Sequence, residues 1–513
     1  MINHIVIAPV LLPLLAGVLL LLLREKDLQI QRVLSLVSVV VQIGLAVTLL
    51  SAVNGGEILA YAVGNWQAPF GIVLVADRLS VWMLMITALL SLCALSYAVC
   101  GGDSTGKHFH VLFQLQLLGL NGAFLTGDLF NLFVFFEILL LASYSLLLHG
   151  GGRQRTKAGF HFVVINLVGS TLFLFAVGIL YGTLGTLNMA DLSVKVAETT
   201  PENVFLVSTA GFLLFGVFAL KAALLPLYMW LPAAYANTSA PVAALFAIMT
   251  KVGAYSIVRI YTLIFGEQAG PEANLIEAWL LPMALMTLFV GMLGVLASTH
   301  LRQQVAYLVV ASIGSLFIAF GLNTEEGIAA GIYYLPHSTF AAAGFFILAD
   351  VIANRRGVMG DKFEIGTEIA YQRLLGVLFF TMAVLIVGLP PLSGFIGKFV
   401  ILHAAISHPS LALVMGVVLV SSFMGLVAIA RSGSLIFYRA LPAPERPPLT
   451  EAEVKAGREH IVKELLPVIS LLALCIILVI CAGSIMEFAH ATAAQLLQPA
   501  AYIDAVFNDG VTR

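Results

Sequence analysis

Glu137, Lys221, Lys251 and Lys398 each stand inside a run that is otherwise apolar. Each is too far from the end of its run to reach water at a membrane surface. A charge at the centre of a bilayer costs about 2.5–3.5 kcal/mol on insertion scales, so such side chains face a polar or wet interior and mark an ion or proton path. Burial and a neighbouring opposite charge act on a carboxyl group in opposite senses, so a Glu held between them can load and release a proton. Lys221 and Lys251 follow Glu137 in the same half of the chain and are its expected partners. An ion pair that opens and closes would push a proton onward, whereas a static buried pair would only fix helix packing. Lys251 has no carboxylate near it in sequence and reads as a relay. Lys398 follows Gly394-Phe-Ile-Gly397 and reads as the terminal proton site of the second half, or as a cap on carbonyls freed by a broken helix.

His337 sits beside Pro336 and titrates near neutrality as a residue type, so it can bridge the two halves. Asn166, Thr250, Ser312, Ser338 and Thr339 can hold waters between the ionisable sites, as can Thr238, Ser239 and Ser315. Asp77, Arg78, Asp128 and Asp350 lie near span ends and read equally as structural charges or entrance groups. His300, at a helix end beside Arg302, reads as an interface anchor as much as a relay.

These residues need helices to hold them. The chain has 513 residues, 60% hydrophobic and 10% charged, against about 25% charged in soluble proteins. It is an integral membrane protein of the all-α class, read as one membrane domain, residues 1–513. Runs of about 20 apolar residues cross the hydrocarbon. Fourteen are expected, with cores at 5–23, 31–52, 75–99, 109–127, 129–148, 158–185, 203–225, 241–265, 276–297, 303–322, 328–352, 371–403, 411–438 and 464–488. The segment from Gly55 to Val75 reads instead as a hairpin on the outer face, with a turn at Gly64, Asn65, Pro69 and Gly71.

Lys and Arg accumulate in cytoplasmic loops. Here they fall on odd-numbered connections: Arg24, Lys26 and Arg32; Lys107; Arg153, Arg155 and Lys157; Arg302; Arg355, Arg356, Lys362 and Arg373; and Arg431, Arg439, Arg446, Lys455, Arg458 and Lys463. The even connections hold Lys195 and the tail Arg513. This pattern predicts both termini on the outer face.

Two spans are interrupted by proline: the seventh at Pro226 and Pro232, the twelfth at Pro390, Pro391 and Gly394. Paired interrupted spans in corresponding halves point to a transport site built from repeats. Residues 109–265, spans four to eight, and residues 276–438, spans nine to thirteen, are the expected repeats. They are inverted, because five spans per unit reverse the second. The Lys precedes the break in the seventh span and follows it in the twelfth, which fits inversion. Residues 1–108 and 464–488 flank them.

The cysteines Cys93, Cys100, Cys475 and Cys481 form no C-x-x-C pair and read as small apolar residues. No GxGxxG, iron–sulfur or P-loop pattern is present, so no cofactor and no metal are expected, and no redox chemistry or hydrolysis by this chain. The N-terminus lacks the features of a cleaved signal peptide, and 5–23 reads as the first span.

Several stretches together resemble the antiporter family shared by respiratory complex I and the multisubunit Mrp cation/proton antiporters. They are Leu129–Leu147 with Glu137; Ala219–Pro232 with Lys221; Ala244–Arg259 with Lys251; and Gly388–Lys398. The resemblance implies fourteen helices in two inverted five-helix repeats with broken helices seven and twelve. It also implies proton-transfer roles for the Glu and the lysines. Tyr61–Ser80 resembles the D-type member of the Mrp assembly, and the chain ends soon after helix fourteen, without the long C-terminal extension of the A type or the lateral helix of the largest complex I homologue. Where many complex I homologues carry a Lys four residues after the His, this chain has Ala341. Tyr228 replaces a frequent family His and is given no proton role. The implied function is a proton-translocating subunit coupling proton entry to sodium export. The implied partners are subunits of the Mrp A, B, C, E, F and G types, with protons and sodium as cargo, in the lipid bilayer of a bacterial cell membrane and without nucleic acid. The alternative is a proton-pumping subunit of a redox-driven NADH:quinone or hydrogenase complex. A structural scaffold is disfavoured by the buried ionisable row.

Overall fold

The computed structural model describes residues 3–24, 27–441 and 451–508. Lys26, Arg446 and Arg513 lie outside the described residues. Among the described residues, eleven helices are long and apolar enough to cross a membrane. Ala8–Leu22 and Phe109–Leu125 are shorter apolar helices, and Gln372–Val387 with Ser393–Ala404 are two halves of one interrupted span. Together they supply the fourteen spans that hydropathy predicts.

The connections sort into two groups, as alternating spans require. Strands Leu59–Ala62 and Val73–Ala76 form the expected antiparallel hairpin. Leu74 bridges to Thr126, and Asp128 to Asn188, which ties together the second, fourth and sixth connections. His300 bridges to Lys362 and Thr367 to Leu441, which ties the ninth, eleventh and thirteenth. The first group defines the hairpin end of the molecule and the second the basic-loop end. Spans four to eight and nine to thirteen each carry an interrupted helix in the fourth place, and the second set starts from the opposite end. The fold is therefore all-α, with two five-helix repeats of opposite orientation.

Breaks occur where the sequence places them, and at one further point. The seventh span is Val204–Ala222 followed by Trp230–Asn237. Its first half ends on Ala223 in the left-handed region, with φ 60. The twelfth span uses the same device at Gly388, φ 84, where glycine carries no Cβ penalty. The eighth span is also divided, into Ala240–Phe246 and Met249–Leu263. No proline marks that division, so hydropathy reads one continuous helix there. The fourteenth helix ends at Ile480, and Ala482–Leu496 and Pro499–Asn508 follow as separate helices at the hairpin end. This corrects the expected span of 464–488: residues 482–488 belong to the next helix, whose mixed polarity hid it. Met189–Ala197, a short helix in the sixth connection, is likewise unforeseen.

Charged anchors hold the basic-loop end. Arg32 donates to both carboxylate oxygens of Asp103, at 2.6 and 2.7 Å, and His110 lies 3.2 Å from the same group. Burial acts to raise the Asp103 carboxyl, but the bonds from Arg32 and His110 outweigh it and hold it down at about 2. Asp350 pairs with Arg302 and accepts from the Tyr97 hydroxyl at 2.7 Å.

Candidate functional site

The candidate ionisable residues are differently buried. Lys251 is fully buried, His337 is 1% exposed and Lys398 is 8% exposed. Glu137 and Lys221 are only part-buried in the isolated chain. Glu137 falls on the outward stripe of its helix with Phe130, Val134, Leu141 and Leu148, all more than a third exposed. The even burial expected for all four charges is thus corrected for Glu137 and Lys221: hydropathy locates depth in the bilayer but not rotation about the helix axis.

Among the described residues, Glu137 and Lys221 form no salt bridge with each other. The Glu137 carboxylate accepts from Ser170 Oγ. Lys221 Nζ donates to Asn166 Oδ1 at 3.0 Å, and the Asn166 amide donates to the Phe162 carbonyl at 2.8 Å. Ser170 and Asn166 lie four residues apart on one face of the sixth span, so that helix holds the two charges apart while they still interact through space. Lys221 also lies 6.0 Å from the centre of the Phe136 ring. Beside it is a cavity of about 10 Å³, lined in part by Asn166, Trp230 and Met249, which is about the room one water needs. The cavity opens from Lys221 toward Met249 and Val252, which flank Lys251 on the eighth span, rather than toward Glu137.

Two backbone groups at the break after Lys221 find side-chain partners. Trp230 Nε1 donates to the Leu220 carbonyl at 3.0 Å, and the Leu225 N–H donates to Thr287 Oγ1 at 2.9 Å. Pro226 is exposed while Pro232 is buried. The twelfth span is serviced differently. Lys398 Nζ donates to the Val387 carbonyl at 2.6 Å and to Ser422 Oγ at 2.8 Å. Lys398 therefore caps a carbonyl freed by its own helix break, the alternative its sequence context offered. Pro390 and Pro391 are exposed on the far side of that break. Gly394 is required here: a Cβ on it would lie 2.0 Å from the Leu385 carbonyl and 2.9 Å from His337 Cε1.

His337 sits against this break. Its Nδ1 is 2.9 Å from Ser393 Oγ, at the start of the second half-helix. Pro336 stays inside the helix Glu325–Arg355; the carbonyl it strands, Ile332, accepts from Trp82 Nε1 at 3.2 Å. Charge on Lys251, in the first half, and on Lys398, in the second, both act on His337.

Lys251 is the exception to this satisfied pattern. Among the described residues, neither its Nζ nor the Thr250 hydroxyl has a hydrogen-bond partner, and both are buried. Both follow directly on the division of the eighth span. Unpaired buried polar atoms cost about 1–3 kcal/mol each, more for a charged one, and ordered water is their usual partner. Of the other candidate water holders, Ser312, Ser338 and Thr339 donate back to carbonyls of their own helices and keep lone pairs for water. Sequence reasoning missed Ser170, Trp230, Thr287, Ser393 and Ser422, because each meets its partner across helices. Tryptophan beside a proline-broken helix is the one local signal among them.

The family profile described as "NADH:quinone oxidoreductase/Mrp antiporter, TM" matches residues 126–425. The chain belongs to this family. Within the NADH:quinone oxidoreductase/Mrp antiporter family it is 39% identical to the D-type subunit of a probable K(+)/H(+) antiporter of Rhizobium meliloti, over 99% of this chain and 98% of that one. It is 36% identical to the D-type subunit of the Na(+)/H(+) antiporter of Alkalihalophilus pseudofirmus, over 99% and 100%. Among solved structures it is similar to a chain of the Mrp complex from Dietzia, with a TM-score of 0.86 at 28% identity over 98% and 99% of the two chains. It is also similar to a chain of respiratory complex I from Thermus thermophilus, with a TM-score of 0.75 at 26% identity over 96% and 100%.

Proposed function

We propose that the chain is the proton-translocating subunit of a multisubunit monovalent cation/proton antiporter. Protons pass along Glu137, Lys221, Lys251, His337 and Lys398, and their inward flow drives sodium out. The observation that carries this reading is the unpartnered, fully buried Lys251 amine beside an unpartnered Thr250 hydroxyl. A dry ammonium there is untenable, and a hydrated one between Lys221 and His337 is what a proton relay needs. A membrane potential supplies about 2.3 kcal/mol per charge per 100 mV, enough to move sodium uphill when more protons enter than sodium ions leave.

In this reading residues 109–265 and 276–438 are the two half-paths, with residues 1–108 and the helix Glu451–Ile480 as flanking scaffold. Chemistry of this kind needs no cofactor. Glu137 calls for a neighbour: a carboxylate on a lipid-facing stripe is costly, so another member of the antiporter assembly covers it. The setting is a bacterial cell membrane, with the basic-loop end in the cytoplasm and both termini outside. The test is Glu137→Ala and Lys221→Ala, each in the assembled complex. Both should retain the subunit and lose cation-dependent proton exchange; normal exchange in both would remove the mechanism.

Potassium is the second reading for the cation, favoured by the Rhizobium relative, whose name is that of a K(+)/H(+) antiporter component; exchange assayed with sodium and with potassium separates the two. A redox-driven assembly is the other alternative, supported by the likeness to the complex I chain. The proteins that copurify with this chain decide it.

A further inference from the structure

At the hairpin end lies a closed knot of charge that the proton row does not use. Arg259 Nη1 is 2.6 Å from Asp77 Oδ2, and Nη2 donates to Asp77 Oδ1 at 2.7 Å. Asp77 is 1% exposed and Arg259 4%. The Ser80 N–H also donates to Asp77 Oδ1, at 2.9 Å. Two tyrosine rings flank the guanidinium, Tyr255 at 5.5 Å and Tyr502 at 5.3 Å. Tyr502 belongs to the helix Pro499–Asn508, which covers the pair. The preceding helix is tied down by Arg78, which donates to the Ala491 carbonyl at 3.1 Å, and by Gln495, which donates to the Gly56 carbonyl at 3.2 Å.

Lys251, Tyr255 and Arg259 are spaced four residues apart along one helix, so they share a stripe that leads from the relay toward the hairpin end. Arg259 lies about 12 Å beyond Lys251 along the axis. The Tyr255 hydroxyl donates to the Phe124 carbonyl at 2.6 Å, which leaves only its lone pairs on the stripe. Beyond it, a guanidinium does not give up a proton inside a protein, and both oxygens of Asp77 are already held. Stability alone is a weak reason for such a pair, since a buried ion pair is often no more stable than apolar side chains of the same volume.

We propose that the Asp77–Arg259 pair, capped by the C-terminal helix, is a proton seal that stops protons on Lys251 from escaping to the hairpin end. The proposal rests on the reading of Lys251 as a proton site. The seal works because its guanidinium keeps its protons and both carboxylate oxygens are engaged, and so leaves Lys221 and His337 as the proton partners of Lys251.

The test uses the assembled complex in liposomes, with neither sodium nor potassium present, and follows proton entry after an acid pulse. Arg259→Lys keeps the buried charge paired but makes it titratable; it should raise the leak about tenfold. The pair Asp77→Asn with Arg259→Gln keeps hydrogen bonding and has no titratable group, and should be as tight as the native complex. Adding Lys251→Ala to Arg259→Lys should return the leak to the native level. A tight Arg259→Lys complex would overturn the proposal. So would a neutral pair that leaks as much as Arg259→Lys, or a leak that survives the loss of Lys251, because either is the mark of a packing defect. If Lys251→Ala alone leaves cation-driven exchange intact, the underlying reading fails first, and that result is distinct from the other two.

Discussion

Replacing Asn166 by Leu takes from Lys221 its hydrogen-bond acceptor, the side-chain oxygen 3.0 Å from Nζ. Asn166 is fully buried, and Leu is close to it in volume, so packing changes little. A hydrogen bond to a charged group contributes about 1.5–3 kcal/mol. Losing it disfavours the charged form of Lys221 by that amount, a factor of about 10 to 150 in its population. If every turnover passes through the charged form, exchange should fall by the same factor. The lost amide bond to Phe162 is a neutral one of about 1 kcal/mol and should leave the subunit in its complex. The assay is cation-driven proton movement in liposomes carrying the purified complex, normalised to the amount of this chain. Exchange within a factor of about two of native, with the chain present, would show that Asn166 does not hold Lys221 for transport.

Trp230→Phe removes the donor to the Leu220 carbonyl and should destabilise the subunit by about 1–3 kcal/mol, read as a lower melting temperature of the complex. Gly394→Ala would place a Cβ 2.0 Å from the Leu385 carbonyl; the helix break must open, and exchange should be lost even where the subunit assembles. Asp103 sits at about 2, below its ordinary 3.8, so its stabilisation is complete above about pH 4 and is lost as pH falls through 2. Asp103→Asn should therefore cost about 2 kcal/mol at neutral pH and flatten the acid limb of the stability curve; an unchanged acid limb would show that the Arg32 pair contributes nothing.

Much of this architecture is legible in the chain because a bilayer imposes length and polarity on every span. The prolines at 226, 232, 390 and 391 announce two breaks, and the basic residues sort the connections by side. The break before Lys251 is silent, since no proline marks residues 247–248. Rotation about a helix axis is also silent in hydropathy, so Glu137 reads as interior until its companions Phe130, Val134 and Leu141 are seen to face outward. The helices after Ile480 are short and mixed in polarity, and a rule built on long apolar runs passes over them. The three lysines and His337 carry strong local signals and stand out from the sequence as candidates. Their supports, Ser170, Ser393 and Ser422, are ordinary serines until the helices meet. Asp77 and Arg259 are 182 residues apart, and no local pattern joins them.

Hydration at Lys251 is the point on which the transport reading turns. A density map of the assembled complex, fine enough to place ordered solvent, measures it directly. Water within hydrogen-bond distance of both the Lys251 Nζ and the Thr250 hydroxyl, continuing toward His337, is the predicted result. A dry apolar shell closed around both atoms would contradict it.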